Sequence, residues 1–225
     1  MSKYESRNPG YPNANRLTNV MCFEVLTTTW PNDGMPSREA QLGKTMNELR
    51  RQYKMSQPDE IVGISISSVS FDEELEIATP KVIPVETKLS AVSDQTLDQL
   101  MMSRESYNAM SMSLSDAMWQ MRTFGAHTDS LPVWACWGDF PSRKIRRDCE
   151  RVKVRHPFSS RMINTKVIAA LAVGLGVDLS MSQIIDEVDL SPYISDHIIM
   201  DFSEGDRNII NNTFVSAAVL AWCLR

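Results

Sequence analysis

Apolar residues alternate from Val20 to Trp30, with Met21, Phe23 and Val25 on one face, and this period of two predicts a strand. Pro31-Asn32-Asp33-Gly34 then predicts a turn. Ser37 is placed to cap a helix running through Tyr53, with Leu42, Met46, Leu49 and Tyr53 on one face. From Glu60 to Ile77 the alternation returns. Val62, Ile64 and Ile66 fall on even positions, whereas Val69, Phe71, Leu75 and Ile77 fall on odd ones. The phase slips at Ser67-Ser68, which predicts a bulge or tight turn there. Val82-Ile83 lies between Pro80 and Pro84, so it reads as an edge strand.

From Asp94 the period lengthens. Leu100, Tyr107, Met110, Leu114, Met118 and Met121 form a helical stripe ending near Phe124, with Gly125 as the stop. An aromatic loop, Leu131 to Pro141, precedes an apolar helix that begins at Val167 and a further helix near Ser182 to Val188. After Pro192, a last helix over Asp206 to Leu224 places Ile210, Phe214, Ala217, Ala221 and Leu224 on one face. The expected fold class is α+β and predominantly helical, with a small antiparallel β region in the N-terminal part and a helical C-terminal part. Residues 1–17, polar and rich in Asn and Pro, read as an extended arm. Residues 18–92 form a mixed β/α region and 93–225 a helical region, and the two can share one core.

Charge changes this picture. The 225-residue chain has a net charge of −5, yet residues 143–166 carry nine Lys or Arg against two acids, a local charge of +7. The remaining fourteen basic and twenty-six acidic residues sum to −12. So polarised a field suggests a surface for an anionic partner. The cations are Arg143, Lys144, Arg146, Arg147, Arg151, Lys153, Arg155, Arg161 and Lys166, with Trp134 and Trp137 just before them. Cations neutralise phosphates and aromatic faces stack on unpaired bases, so these residues are the candidate nucleic-acid contacts. The competing reading is a solvated face, or cations paired with acids of the same chain.

Catalytic patterns are weak. Cys136 with His127 and Asp129 or Asp139 is the one local thiol set, and no nucleophile elbow or Gly-rich phosphate loop accompanies it. His127, Cys136, Cys149 and His156 are metal-ligand types without the close pairs that structural zinc sites use. A helix-turn-helix reading of residues 167–188 fails on charge, because its second helix carries Asp186, Glu187 and Asp189. Neither a catalytic residue, a metal nor a cofactor is therefore assigned. Met1 to Val20 lacks a secretory apolar stretch. The longest apolar run, eleven residues from Val167 to Val177, falls short of the roughly 20 that span a bilayer. The four cysteines then read as free thiols, and the expected place is the cytoplasm or a virion.

Together these features predict a self-assembling structural protein that binds RNA or another polyanion, such as an anionic membrane surface. The type expected is a viral nucleocapsid, coat or matrix subunit, homo-oligomeric and not an enzyme. The alternative is a small intracellular enzyme or regulator with a dispersed site.

Overall fold

The computed structural model describes residues 19–28, 59–71, 75–125, 133–158, 162–174, 180–193 and 208–224. The expected N-terminal arm, the turn at Pro31, the helix from Ser37 to Tyr53, and Arg161 and His127 lie outside these residues.

Six strands form one mixed sheet. They are β1 (Asn19–Thr27), β2 (Ile61–Phe71), β3 (Leu75–Ile77), β4 (Lys81–Pro84), β5 (Val133–Cys136) and β6 (Met162–Asn164). Their order is β3-β2-β1-β5-β6, with β4 also pairing β2. β1 and β2 are antiparallel, whereas β1 with β5 and β5 with β6 are parallel. The helices are α1 (Asp94–Gln99), α2 (Arg104–Met110), α3 (Leu114–Gly125), α4 (Phe140–Val152), α5 (Thr165–Val173), α6 (Met181–Glu187) and α7 (Ile209–Cys223), with a 3-10 turn at Ser191–Tyr193.

This corrects the expected fold class. The sheet is neither small, nor purely antiparallel, nor confined to the N-terminal part, because β5 and β6 extend it from the C-terminal half. Helices cover both of its faces. On one face Met21, Phe23, Ile64, Ile66 and Trp134 pack against Met118 and Met121 of α3 and Ile145 and Cys149 of α4. On the other, Val20, Cys22, Val69 and Ala135 pack against Ala217, Leu220 and Ala221 of α7. α7 is buried nearly all round because Phe214, Val215, Ala218 and Val219 meet Ala169 and Ala170 of α5 on its far side. Its alanines permit close approach to the sheet, while each enclosed large side chain contributes about 1.5–3 kcal/mol.

The phase slip has a different cause from the one expected. β2 runs unbroken through Ser67-Ser68 because both of its faces are covered, so even and odd positions are apolar in turn. The irregularity lies at its start, where Leu26 and Thr27 oppose Gly63 and Ile61 and leave Val62 as the extra residue. The long helix expected after Asp94 is three helices. Ser93 and Ser103 cap α1 and α2, Ser113 accepts from the Asp116 N–H at the start of α3, and Met101 turns the chain at φ 57°. At Gly63 a Cβ would stand 2.3 Å from Leu100 Cδ2, so the missing side chain admits Leu100 against β2.

The helix expected from Val167 is α5, but it is not wholly core: Leu171 is 76% exposed. Among the described residues no helix is long and apolar enough to cross a membrane.

Candidate functional site

The parallel strands β1, β5 and β6 direct their carboxyl ends to one edge of the sheet, the place where open α/β sheets commonly bind ligands. Four polar groups come together there. Glu24, near the end of β1, accepts a hydrogen bond at 2.9 Å on Oε1 from the Trp137 backbone N–H, just past β5. Gly138 follows in the left-handed region at φ 74°, and Lys166 Cδ lies 4.0 Å from where its Cβ would be. Asp139, at the start of α4, accepts at 2.8 Å on Oδ1 from Asn164 Nδ2. Asn164, the last residue of β6, uses its own Oδ1 to accept from the Val167 N–H and so caps α5. The first turns of α4 and α5 are thereby tied together, and their partial positive charge favours an anion.

The ionisable groups behind this edge are held neutral. Burial raises the Glu24 carboxyl from 4.5 to about 8, against the opposing effect of the Trp137 N–H. Burial, then the Glu24 charge, lifts the Cys22 thiol far above its ordinary range. The same two causes, in the same order, push Cys136 up to about 12. Cys136 donates to the Gly138 carbonyl at 3.2 Å, so it is a protonated thiol and a poor nucleophile. Burial likewise lifts Cys149, the other thiol of the candidate metal set, to about 11.

The basic segment divides in two. Lys144 is 2% exposed; its Nζ lies 2.8 Å from Asp148 Oδ2 and 3.7 Å from Asp59 Oδ2, and it donates to the Asp59 carbonyl. Arg147 pairs with Asp59 at 3.4 Å and with Asp148 at 3.7 Å, and Arg151 with Glu60 at 3.7 Å and Asp148 at 3.8 Å. Arg146 lies over the Phe158 ring. The Glu60 carboxylate also accepts from the backbone N–H groups of Lys88, Leu89 and Ser90, which pins the chain after β4 to the start of β2. Arg143, Lys153 and Arg155 are exposed, and Lys166 is half-buried beside Gly138. Trp134 is enclosed, meeting Phe23 and Phe158 edge-on, and has no free face for a base. Trp137 is half-buried at the edge beside Glu24.

Sequence reasoning did not single out Glu24 or Asn164. The available signal was a lone acid, Glu24, two positions after Cys22 on an otherwise apolar stretch.

The sequence matches no protein-family model and no curated protein. The fold does have solved counterparts. A full-length 3′-exonuclease aligns with a TM-score of 0.65 at 10% identity, over 92% of this chain and 60% of that one. The nuclease domain of 3′hExo, described as a DEDDh family member bound to rAMP, aligns with a TM-score of 0.60 at 11% identity, over 92% of this chain and 90% of that domain. E. coli Exonuclease I in complex with a thymidine oligonucleotide aligns with a TM-score of 0.52 at 6% identity, over 91% of this chain and 40% of that one. The chain thus spans about the length of a nuclease domain and less than two thirds of the longer proteins. These likenesses define the class: an exonuclease-like fold. They overturn the expected nucleocapsid, coat or matrix subunit and the expectation of a non-enzyme, and they favour the enzyme alternative.

Nucleases commonly use divalent cations that clustered carboxylates hold against the scissile phosphate. The described residues do not fit such a centre. Among them no group of three His, Cys, Asp or Glu side chains is placed to hold an ion. At the strand edge, Glu24 carries a proton near neutrality and its neighbours Cys22 and Cys136 are neutral thiols.

Proposed function

We propose that this chain acts on the 3′ end of RNA or single-stranded DNA as an exonuclease-type phosphodiesterase, with its site at the carboxyl ends of β1, β5 and β6. The observation that carries this reading is the alignment of 92% of the chain with a nuclease domain bound to rAMP, at the fold where Glu24, Asp139 and Asn164 converge. The chain's own residues supply positioning. Asn164 fixes the starts of α4 and α5, whose N–H groups suit a phosphate. Arg143 and Lys166, beside those starts, add positive charge. Trp137, half-buried at the edge, is the candidate surface for the terminal base. Lys153 and Arg155, exposed past the far end of α4, are the further cations of the same segment.

The test uses a 5′-labelled oligonucleotide, as RNA and as DNA, incubated with the purified chain with and without magnesium or manganese. The reading expects shortening from the 3′ end, and expects Arg143→Ala with Lys166→Ala to weaken binding and reduce its salt slope by about one to two units. Binding without shortening would overturn the hydrolytic half of the proposal; no binding would overturn it entirely.

A further inference from the structure

We infer that the outward face of α3, with the turn that leaves α4, is a second contact for single-stranded nucleic acid, in which Trp119 stacks on an unpaired base and Lys153 and Arg155 meet the flanking phosphates. This rests on the function proposed above for the kind of partner, and it adds a contact on elements other than the carboxyl ends of the parallel strands.

The first observation is the tryptophan itself. Ala117, Met118 and Met121 anchor α3 and are fully buried, whereas Trp119 on the same helix is 62% exposed. Trp134 by contrast is enclosed, and Trp137 and Trp222 are half-buried. The positions of α3 around Trp119 are polar: Ser115 and Asp116 are exposed, and Gln120 and Arg122 are half-buried. One ring among polar groups is too small an apolar patch for the core of a protein–protein interface. A planar face on a fixed helix is instead a platform on which a base of any identity can stack.

The second observation is what adjoins that ring. Ser115 lies one turn before Trp119 and Arg122 one turn after it, on the same side of α3. Both border the end of α4. Ser115 lines a cavity of about 280 Å³ together with Val152 and Val154. Arg122 Nη1 donates to the Arg155 carbonyl at 3.2 Å. The chain leaving α4 is fixed on its own side as well. Lys153 turns it in the left-handed region at φ 58°, and the Val154 N–H donates to the Cys149 carbonyl at 2.9 Å. Val154 packs against the core, while Lys153 and Arg155 on either side of it are exposed.

The third observation is charge. Among the described residues the ion pairs of the basic segment take Lys144, Arg147 and Arg151, and Lys153 and Arg155 stand outside them. Lys81 adds a cation at the end of α3, its Nζ 5.4 Å from the centre of the Phe124 ring. The acids on this face are Asp116, which accepts from the Ser113 hydroxyl at 2.7 Å, and Glu150, exposed on α4. Across the cavity Glu86 and Lys88 offset each other. Lys81, Arg122, Lys153 and Arg155 against Asp116 and Glu150 leave the face positive, in a chain whose net charge is −5. Cations beside an exposed ring match a strand whose phosphates are charged and whose bases are unstacked. A duplex offers the charge but hides the faces of its bases.

The test is fluorescence anisotropy of 5′-labelled single strands about twelve nucleotides long, of RNA and of DNA, titrated with the full chain in EDTA. The inference expects Trp119→Ala to weaken binding by about tenfold and Trp119→Phe by less than about threefold, both with the native urea midpoint. Lys153→Ala with Arg155→Ala should lower the salt slope by about one to two units. Single strands bound by Trp119→Ala as by the native chain would overturn the inference, and so would a duplex weakened as much as the single strand. Light scattering in which Trp119→Ala dissociates an oligomer would also overturn it and assign the face to a second copy of this chain. Native 3′-end shortening by Trp119→Ala, with binding unchanged, would sink this contact and leave the proposed function standing. A native chain that neither binds nor shortens any strand would overturn both.

Discussion

Lys144→Met removes a buried charge and leaves its partners in place. Lys144 and Asp148 are each 2% exposed, one turn apart on α4, and the ammonium also reaches the carboxylate and carbonyl of Asp59 from the chain before β2. Methionine keeps the length and the apolar stem but removes every donor. Asp148 then faces Arg147 at 3.7 Å and Arg151 at 3.8 Å, and those side chains are 62% and 42% exposed, so their pull is screened by water. Removing one partner of a buried pair costs about 3–5 kcal/mol, and the residual arginines place this case near the lower end, about 3 kcal/mol. For a chain of this size each kcal/mol moves Tm by about 2–4 °C, so a fall of roughly 6–12 °C is expected. Urea unfolding should show a lower midpoint at unchanged slope. Lys144→Met with Asp148→Leu should recover most of the loss, because it removes the orphaned Asp148 carboxylate and leaves Asp59 paired with Arg147 at 3.4 Å. A single-variant loss under about 1 kcal/mol, the range of exposed pairs, would show that water reaches the network and would refute this reasoning.

Three further outcomes are expected. Gly63→Ala drives a Cβ to within 2.3 Å of the enclosed Leu100 side chain and should cost about 1–3 kcal/mol, read as a shifted denaturation midpoint; a native midpoint would show that Leu100 moves freely. Leu171→Asp should change stability by less than about 0.5 kcal/mol, since the side chain is 76% exposed on α5; loss of native circular dichroism would place that face in the core. Glu24 makes stability depend on pH. Its folded-state pKa of about 8 lies above 4.5, so the folded chain holds a proton that the unfolded chain has released between those values. Stability should therefore be greatest below pH 4.5 for this group and fall by several kcal/mol as pH rises through about 8. Glu24→Gln should flatten that slope in urea titrations, and a slope unchanged by the substitution would assign the dependence to another group.

The elements visible in the sequence are those with a long apolar or alternating run, or with chemically marked ends. β1 alternates because its side chains sort onto two different helical layers, and β4 shows as an edge strand through its flanking prolines. α7 shows through its length and apolar content. β2 misled through its length. Both of its faces are covered, so its two interleaved apolar sets look like one strand that changes phase. β5 and β6, four and three residues long, hold too few positions to display any period, and their parallel pairing joins residues far apart in sequence. Without them the C-terminal half reads as helical. With them the antiparallel pair of β1 and β2 becomes the middle of a mixed sheet. The serines at 93, 103 and 113 were a legible signal for three helices, since each caps or begins one.

The basic segment shows what charge in a sequence can and cannot establish. Its +7 is a property of composition, but folding brings Asp59 and Glu60 against it, which lowers the local sum to +5. Lys144 is then internal, and Arg147 and Arg151 are part-neutralised by carboxylates that lie more than eighty residues away in the chain. No local window could reveal that pairing. Among the described residues, Arg143, Lys153 and Arg155 are exposed and Lys166 is half-buried, and two of these, Arg143 and Lys166, stand beside the joined starts of α4 and α5. Two of the cations thus stand at the sheet edge where Glu24 is protonated. Under the proposed function a phosphate there is drawn by the two helix starts with Arg143 and Lys166, and is opposed by the exposed Asp139 carboxylate at the start of α4. Asn164 joins the two helix starts through Asp139 and the Val167 N–H, so Asn164→Ala should uncouple them.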